Sequence, residues 1–347
     1  MIDKKLIIVS RKWENGRGKY TSVERFCELL SNDFEHDHGK TVNIPYRIGQ
    51  ILKKIPGGKK NGELPAPYNS YSASIELYGI NQILKRKPNI VFFPYADYDF
   101  YYTGWLKKIL NVKVVLWTYF SEWELEHRFK NLSHFKKADL ILVAGEGQLK
   151  YLKERVTGVK LEYFPMGVDT DFFIPSVKYD KYTIVHSGAN RRDFKTLIKA
   201  FDILIKDYPS LKLELIGAYS VKDKIPERDY IILHPYLSDE EMRAIYQKAN
   251  FQVLSLYDGG SSNSLNEGIA CGLPLIVTGL SNIDDYYNDS FALTYKKGDY
   301  MRLYENIKTL LENDNIRQKY SKNAREYSLR LSWNKLKVDF LNWIDKL

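Results

Sequence analysis

The sequence predicts an α/β chain of two doubly wound, Rossmann-like domains facing each other across a cleft. Three observations predict it. At 347 residues and 40.6 kDa, the chain exceeds one ordinary core and suits two domains of about 150–200 residues. Short apolar runs rich in Val, Ile, Leu and Phe recur without strict alternation, which is how strands buried on both faces read. Helical patterns separate most of these runs, and alternating strand and helix means parallel sheets.

In chain order the expected strands are residues 6–10, 90–93, 112–117, 140–143, 161–164, 183–186, 211–216, 231–233, 251–256 and 275–278. The clearest helical patterns between them are 22–30, 148–155, 195–208 and 239–247. A polar joint near 169–181, with Pro175, splits the elements into two series. The expected division is 1–167, 168–330 and a terminal segment 331–347. That last segment has Leu336, Val338, Phe340, Leu341, Trp343 and Ile344 on a wide apolar helical face. Such a face must bury, and it is expected to cross back to the first domain. The Gly/Pro-rich stretch 55–67 reads as an exposed loop.

Composition excludes several classes. Hydrophobic residues are 44% and charged residues 27%, a globular balance rather than a disordered one. No stretch approaches the roughly 18 apolar residues of a membrane span. The run from Leu6 to Val9 is shorter than the about 7–15 residues of a signal-peptide core. With only Cys27 and Cys271, there is no disulfide framework and no thiolate cluster. The expected compartment is the cytoplasm. His36 and His38 lie in an acidic EHDHG stretch without metal-ligand spacing, which reads as a solvated loop. No metal is expected. Gly-x-Ser-x-Gly, the P-loop and Gly-x-Gly-x-x-Gly are all missing, so neither a nicotinamide nor another cofactor is expected. The net charge is +9, and residues 1–170 hold 27 Lys/Arg against 19 Asp/Glu. That excess favours an anionic partner or is simply a basic surface.

The chemistry concentrates in two segments. Residues 257–278 read YDGGSSNSLNEGIACGLPLIVT: a strand end, a Gly/Ser-rich turn, a helix beginning near Ser264 or Leu265, and a turn into the next strand. Glycines let backbone N–H groups approach a ligand closely, and the helix start offers unpaired donors and partial positive charge, so together they make a phosphate cradle. Glu267 lies where its carboxylate can accept bonds from the vicinal hydroxyls of a ribose. On spacing alone, Ser264 and Glu267 also read as a capping box. In residues 186–199, HSGANRRDFKTLIK, Gly188 turns the chain, and Arg191, Arg192 and Lys195 gather at the strand-to-helix junction. These suit a diphosphate or a solvated helix start.

The second half resembles the GT-B fold glycosyltransferases, specifically retaining family 4. Residues 164–173, FPMGVDTDFF, are similar to the interdomain Pro-Asn-Gly-Val-Asp-x-x-x-Phe, with Met166 for Asn. Residues 183–201 look like the strand, turn and TLI-x-AF helix. HPYLSDEEMRAIY at 234–246 resembles GYVSDEEL-x-x-LY, residues 257–278 resemble the donor-binding EG…NSLLEA-x-ACGLPVI, and Ser332–Trp333 resembles FSW. The match covers roughly residues 139–345, with five motifs in order. The first domain matches only in outline.

The resemblance implies a nucleotide-sugar-dependent transferase. It assigns ribose binding to Glu267 and diphosphate binding to Ser262, Asn263, Ser264 and Leu265. The first acid of the donor motif would fall on Gly259; the nearest is Asp258, which a one-residue insertion in the following turn would bring to the donor sugar. The family's phosphate lysine falls on Arg192, with Arg191 or Lys195 as helpers beside Gly188. Its histidine after the fourth strand becomes Tyr119. Tyr236 is a further donor contact, and Gly16 and Gly18 form a first-domain loop facing the cleft. Catalysis then rests on fixed positive groups around the leaving diphosphate, with retention of the anomeric configuration implied by the family. The expected acceptor is a sugar, a lipid-linked precursor or a polysaccharide, with no nucleic acid. Basic, apolar helical patterns at 47–60 and 100–113 add an anionic membrane surface as a candidate partner, and peripheral attachment to the inner face of the membrane as a candidate location. The competing readings are a non-catalytic sugar-nucleotide-binding protein and a GT-B sugar-nucleotide epimerase.

Overall fold

The computed structural model describes residues 5–11, 19–20, 22–38, 51, 67–259, 262–280 and 283–347. They form two compact units. The first comprises Val23–Pro165 and Leu336–Leu347 with the strand at Leu6–Ser10; the second comprises Met166–Lys335 with the short stretch at Tyr20. Gly16, Gly18 and, apart from Ile51, the face at 47–60 lie outside the described residues.

The first unit contains β1 (Leu6–Ser10), α1 (Ser22–Ser31), β2 (Glu35–His38), α2 (Ser70–Arg86), β3 (Ile90–Phe93), α3 (Ala96–Asp99), α4 (Thr103–Leu110), β4 (Lys113–Thr118), α5 (Glu122–Arg128), β5 (Leu140–Val143), α6 (Glu146–Arg155) and β6 (Lys160–Tyr163). Its strands are parallel in the order β2-β1-β3-β4-β5-β6. Strands β1, β3 and β5 are buried along their whole length, which is why their sequences are unbroken apolar runs. EHDH is a correction. It is not a loop but strand β2, which among the described residues lies at the sheet edge and pairs with β1 alone.

The second unit contains β7 (Thr183–Ser187), α7 (Phe194–Asp207), β8 (Lys212–Ile216), β9 (Ile231–Leu233), α8 (Asp239–Lys248), β10 (Phe251–Leu254), α9 (Asn263–Ala270), β11 (Leu275–Thr278), β12 (Ala292–Tyr295), α10 (Tyr300–Glu312) and α11 (Asp314–Ser328). Its parallel sheet runs β12-β11-β10-β7-β8-β9. Counted from β7, that is the Rossmann order, and the strand order reverses between β7 and β10. Ligands of such sheets bind outside the carboxyl ends of the strands at this switch point.

The last helix, α12 (Trp333–Asp345), starts in the second unit and counts with the first from Leu336 onward. There Phe340 packs on Phe92 and Phe26, with ring centroids 4.8 and 5.4 Å apart. No described helix is long and apolar enough to cross a membrane.

Candidate active site

At the end of β7 the chain turns at Gly188, whose φ is +90°. A Cβ there would sit 2.6 Å from Arg192 Nη2, so only glycine lets the Arg192 side chain fold back under the turn. Arg192 Nε donates to the Ser187 carbonyl at 2.8 Å, Nη1 to the Asn190 carbonyl at 3.3 Å and Nη2 to Ser264 Oγ at 2.9 Å. All three acceptors are neutral, and no carboxylate among the described residues pairs with this guanidinium. Burial lowers its pKa from 12.5 to about 10, because a charge removed from water without a counter-charge is disfavoured. The same burial, aided by the Arg192 charge, pulls His186 down to about 3 and keeps it neutral.

At the end of β10 the chain reaches Asp258 and Gly259 and then enters α9. Ser262 is the N-cap of α9, its hydroxyl accepting from the Leu265 N–H at 3.4 Å. The helix therefore begins at Asn263, one or two residues before the expected start at Ser264 or Leu265, and its cap is Ser262 rather than a Ser264–Glu267 capping box. The Ser264 hydroxyl is bonded to Arg192 and lies 3.1 Å from Ser262 Oγ. The first N–H groups of α9 have no partner within the helix. A guanidinium and a helix N-terminus thus converge at the switch point, an arrangement suited to a multiply charged anion.

Glu267 is buried, 5% exposed. Its Oε2 accepts from the Tyr246 hydroxyl at 3.1 Å, and Tyr246 also meets Ser187 Oγ at 3.0 Å. Gln252 Nε2 donates to Ser187 Oγ and to the Ser264 carbonyl, both at 2.8 Å. This network joins β7, α8, β10 and α9 beneath the helix start. Burial and the Glu267 carboxylate push the Tyr246 phenol well above its ordinary range, so it remains a donor. Asn266 Nδ2 donates to the Met166 carbonyl at 2.8 Å and ties α9 to the 164–173 segment. Sequence reasoning passed over Tyr246, Gln252, Ser187 and Asn266. Tyr246, Ser187 and Asn266 each lay within a quoted motif, and Gln252 lay within the apolar run 251–256.

The remaining candidates are placed differently. Arg191, in the left-handed region with φ 58°, is ion-paired with Asp258. Lys195 is exposed on the first turn of α7 and makes no hydrogen bond to the Arg192 cluster. Tyr236 is 85% exposed after β9, with its ring 6.3 Å from that of Tyr219. Tyr119 belongs to the first unit, just after β4. Its N–H and that of Phe120 donate to the buried Asp97 carboxyl at 2.8 and 3.2 Å, and the Thr118 hydroxyl donates to the other oxygen. Burial raises Asp97 to about 7, against the pull of these donors. At the switch point of the first sheet, between β1 and β3, Arg11 forms a two-pronged buried pair with Asp99, Nε to Oδ2 at 2.9 Å and Nη2 to Oδ1 at 2.5 Å.

The fold is that of the GT-B glycosyltransferases, as the resemblance read from the sequence implies. Residues 169–327 match the family described as glycosyl transferases group 1. The chain is 25% identical over 173 residues to the capsular polysaccharide biosynthesis glycosyltransferase CapM of Staphylococcus aureus, a match covering 45% of each protein. The chain thus spans less than half the length of this relative. Sucrose-phosphate synthase from Thermosynechococcus elongatus shares the fold with TM-score 0.71 and 15% identity over 99% of both chains. Anabaena HepE, solved with UDP and glucose, does so with TM-score 0.68 and 10% identity, covering 99% of this chain and 100% of that one.

Proposed function

We propose that this chain is a retaining, metal-independent glycosyltransferase of the family 4 type. It moves a hexose from a nucleotide-diphosphate sugar to a glycolipid or polysaccharide precursor. The observation that carries this reading is Arg192, a half-buried guanidinium with no carboxylate partner among the described residues, at the first turn of α9. The leaving diphosphate gains negative charge as the anomeric bond breaks. Fixed donors aimed at that charge lower the barrier without reorganising. Arg192 supplies a full charge; the N–H groups of Asn263, Ser264 and Leu265 supply a dipole end. Glu267, oriented by Tyr246, accepts bonds from the ribose hydroxyls. The UDP held by HepE and the polysaccharide role in the name of CapM support the donor and acceptor classes. The first unit takes the acceptor, and the Tyr119 phenol hydrogen-bonds a hydroxyl of the donor sugar.

The first test is thermal stabilisation by UDP, GDP and ADP and their sugars, since a ligand that binds only the native state raises its melting temperature. Donor turnover by wild type and Glu267→Gln follows. No stabilisation by any nucleotide rejects the reading. A second reading, a non-catalytic sugar-nucleotide-binding protein, draws on the engagement of Asp258 by Arg191. Nucleotide stabilisation without turnover across broad donor and acceptor panels selects it.

A further inference from the structure

Helix α4, TGWLKKIL, is fixed on its inner side and apolar on its outer side. The buried Glu76 carboxylate accepts from the N–H groups of Tyr101 at 2.9 Å and Thr103 at 2.7 Å, holding the helix start. Gly104 packs so closely that a Cβ would lie 2.7 Å from both Phe100 and Lys137. The helix therefore has no freedom to turn its outer face inward. That face shows Trp105, Leu106 and Ile109, at 55%, 36% and 81% exposure. Positions i, i+1 and i+4 of a helix fall within an arc of about 100°.

The surroundings are basic. Exposed Lys108 flanks the arc, and Lys137 Nζ lies 4.3 Å over the Trp105 ring. Residues 101–113 hold three lysines and no acidic residue. Asp139 is shared between Lys107 at 3.1 Å and Lys113 at 3.6 Å, one carboxylate against two ammonium groups. A cavity of about 430 Å³ at the end of α4 is lined by Lys107, Lys108 and Lys113 together with Asp139, Asn89 and Asn111 among others, three cations to one carboxylate side chain. Three large apolar side chains inside a lysine rim differ from scattered surface residues. Two copies meeting through this face would set lysine against lysine. An acidic lipid surface complements both features, because apolar side chains enter the acyl boundary while lysines meet the phosphates.

We propose that α4 docks the first unit on an anionic lipid surface, with Trp105, Leu106 and Ile109 inserted and Lys108 and Lys137 on the headgroups. The docking stands apart from the donor-site reading and holds whether or not the chain turns over sugar. The test is cosedimentation of the full chain with phosphatidylcholine vesicles, with and without phosphatidylglycerol, at low and high salt. Wild type should partition onto the phosphatidylglycerol vesicles alone and release at high salt. Trp105→Ser with Ile109→Ser should weaken partitioning about ten-fold or more. Lys108→Glu and Lys137→Glu should each weaken it about five-fold or more. All variants should melt with wild type, since these side chains lie outside the core. Equal binding to neutral vesicles, no binding at all, or wild-type partitioning by the folded Trp105/Ile109 variant overturns the proposal. So does a dimer that the same variant dissociates without any vesicle binding.

Discussion

Replacing Arg192 with methionine separates what holds the fold from what holds an anion. Burial lowers the guanidinium from its ordinary 12.5 to about 10, which corresponds to a cost of about 3.5 kcal/mol for the charged form in the ligand-free protein. Its three hydrogen bonds to Ser187, Asn190 and Ser264 offset that by about 1 kcal/mol each. The two sums nearly cancel. Arg192→Met should therefore change stability by no more than about 1–2 kcal/mol, a shift of a few degrees in melting temperature for a domain of this size. Turnover should fall far more, because loss of one donor to the leaving group costs about 2.7–4 kcal/mol, or about 10²–10³ in kcat. Stabilisation by UDP or GDP should shrink with it, whereas Arg192→Lys, which keeps a cation, should recover part of both. The assays are thermal melts with and without nucleotide, then donor turnover. If Arg192→Met melts with wild type and binds and turns over like wild type, the guanidinium does not face the diphosphate. If it unfolds, the residue is structural and the argument from its missing counter-charge fails.

Other substitutions probe separate links. Glu267→Gln keeps the side-chain shape and an acceptor for Tyr246, so the fold should persist while transfer collapses; full turnover in that variant removes Glu267 from the ribose. Gly188→Ala forces a Cβ to within 2.6 Å of Arg192 Nη2 at a φ of +90°. It should cost about 1–2 kcal/mol in backbone strain alone and reduce turnover through the displaced guanidinium, measured by melting and kinetics side by side. Asp97, raised from 3.8 to about 7, keeps its proton in the native state where the unfolded chain has released it. Its contribution to stability should therefore fall as pH rises from about 4 to 7. The stability difference between wild type and Asp97→Asn, followed by urea titration across that window, should decline with pH; a flat difference refutes the burial argument.

The sequence revealed strands where burial was two-sided. Residues 90–93, 140–143 and 275–278 are unbroken apolar runs, and they form β3, β5 and β11 with the same bounds. Edge position alone did not hide a strand, since β6 and β9 lie at edges and fall on the apolar runs 161–164 and 231–233, but β2 and β12 carried no such signal. β2 is EHDH and, among the described residues, pairs on one side only. β12 was also passed over; it is ALTY and likewise at an edge. The switch-point location followed from motif order, but its wiring did not. In SSNS any of four side chains is a competent N-cap. The choice falls to Ser262 while Arg192, 72 positions from Ser264, engages the latter's hydroxyl. Asp258 read as an available acid because nothing nearby in sequence announces Arg191, 67 positions away. Nothing local marks the role of Tyr246, because its hydroxyl partners lie 59 and 21 residues distant.

The network beneath α9 has a kinetic corollary. On the proposed reading, every group assigned to the donor's pyrophosphate and pentose, from Arg192 to Glu267, contacts the portion that survives bond cleavage. The spent nucleotide therefore leaves with nearly the same grip that the intact donor enjoyed. Accumulating product should compete with fresh donor, and an auxiliary phosphatase that destroys it should restore linear progress curves.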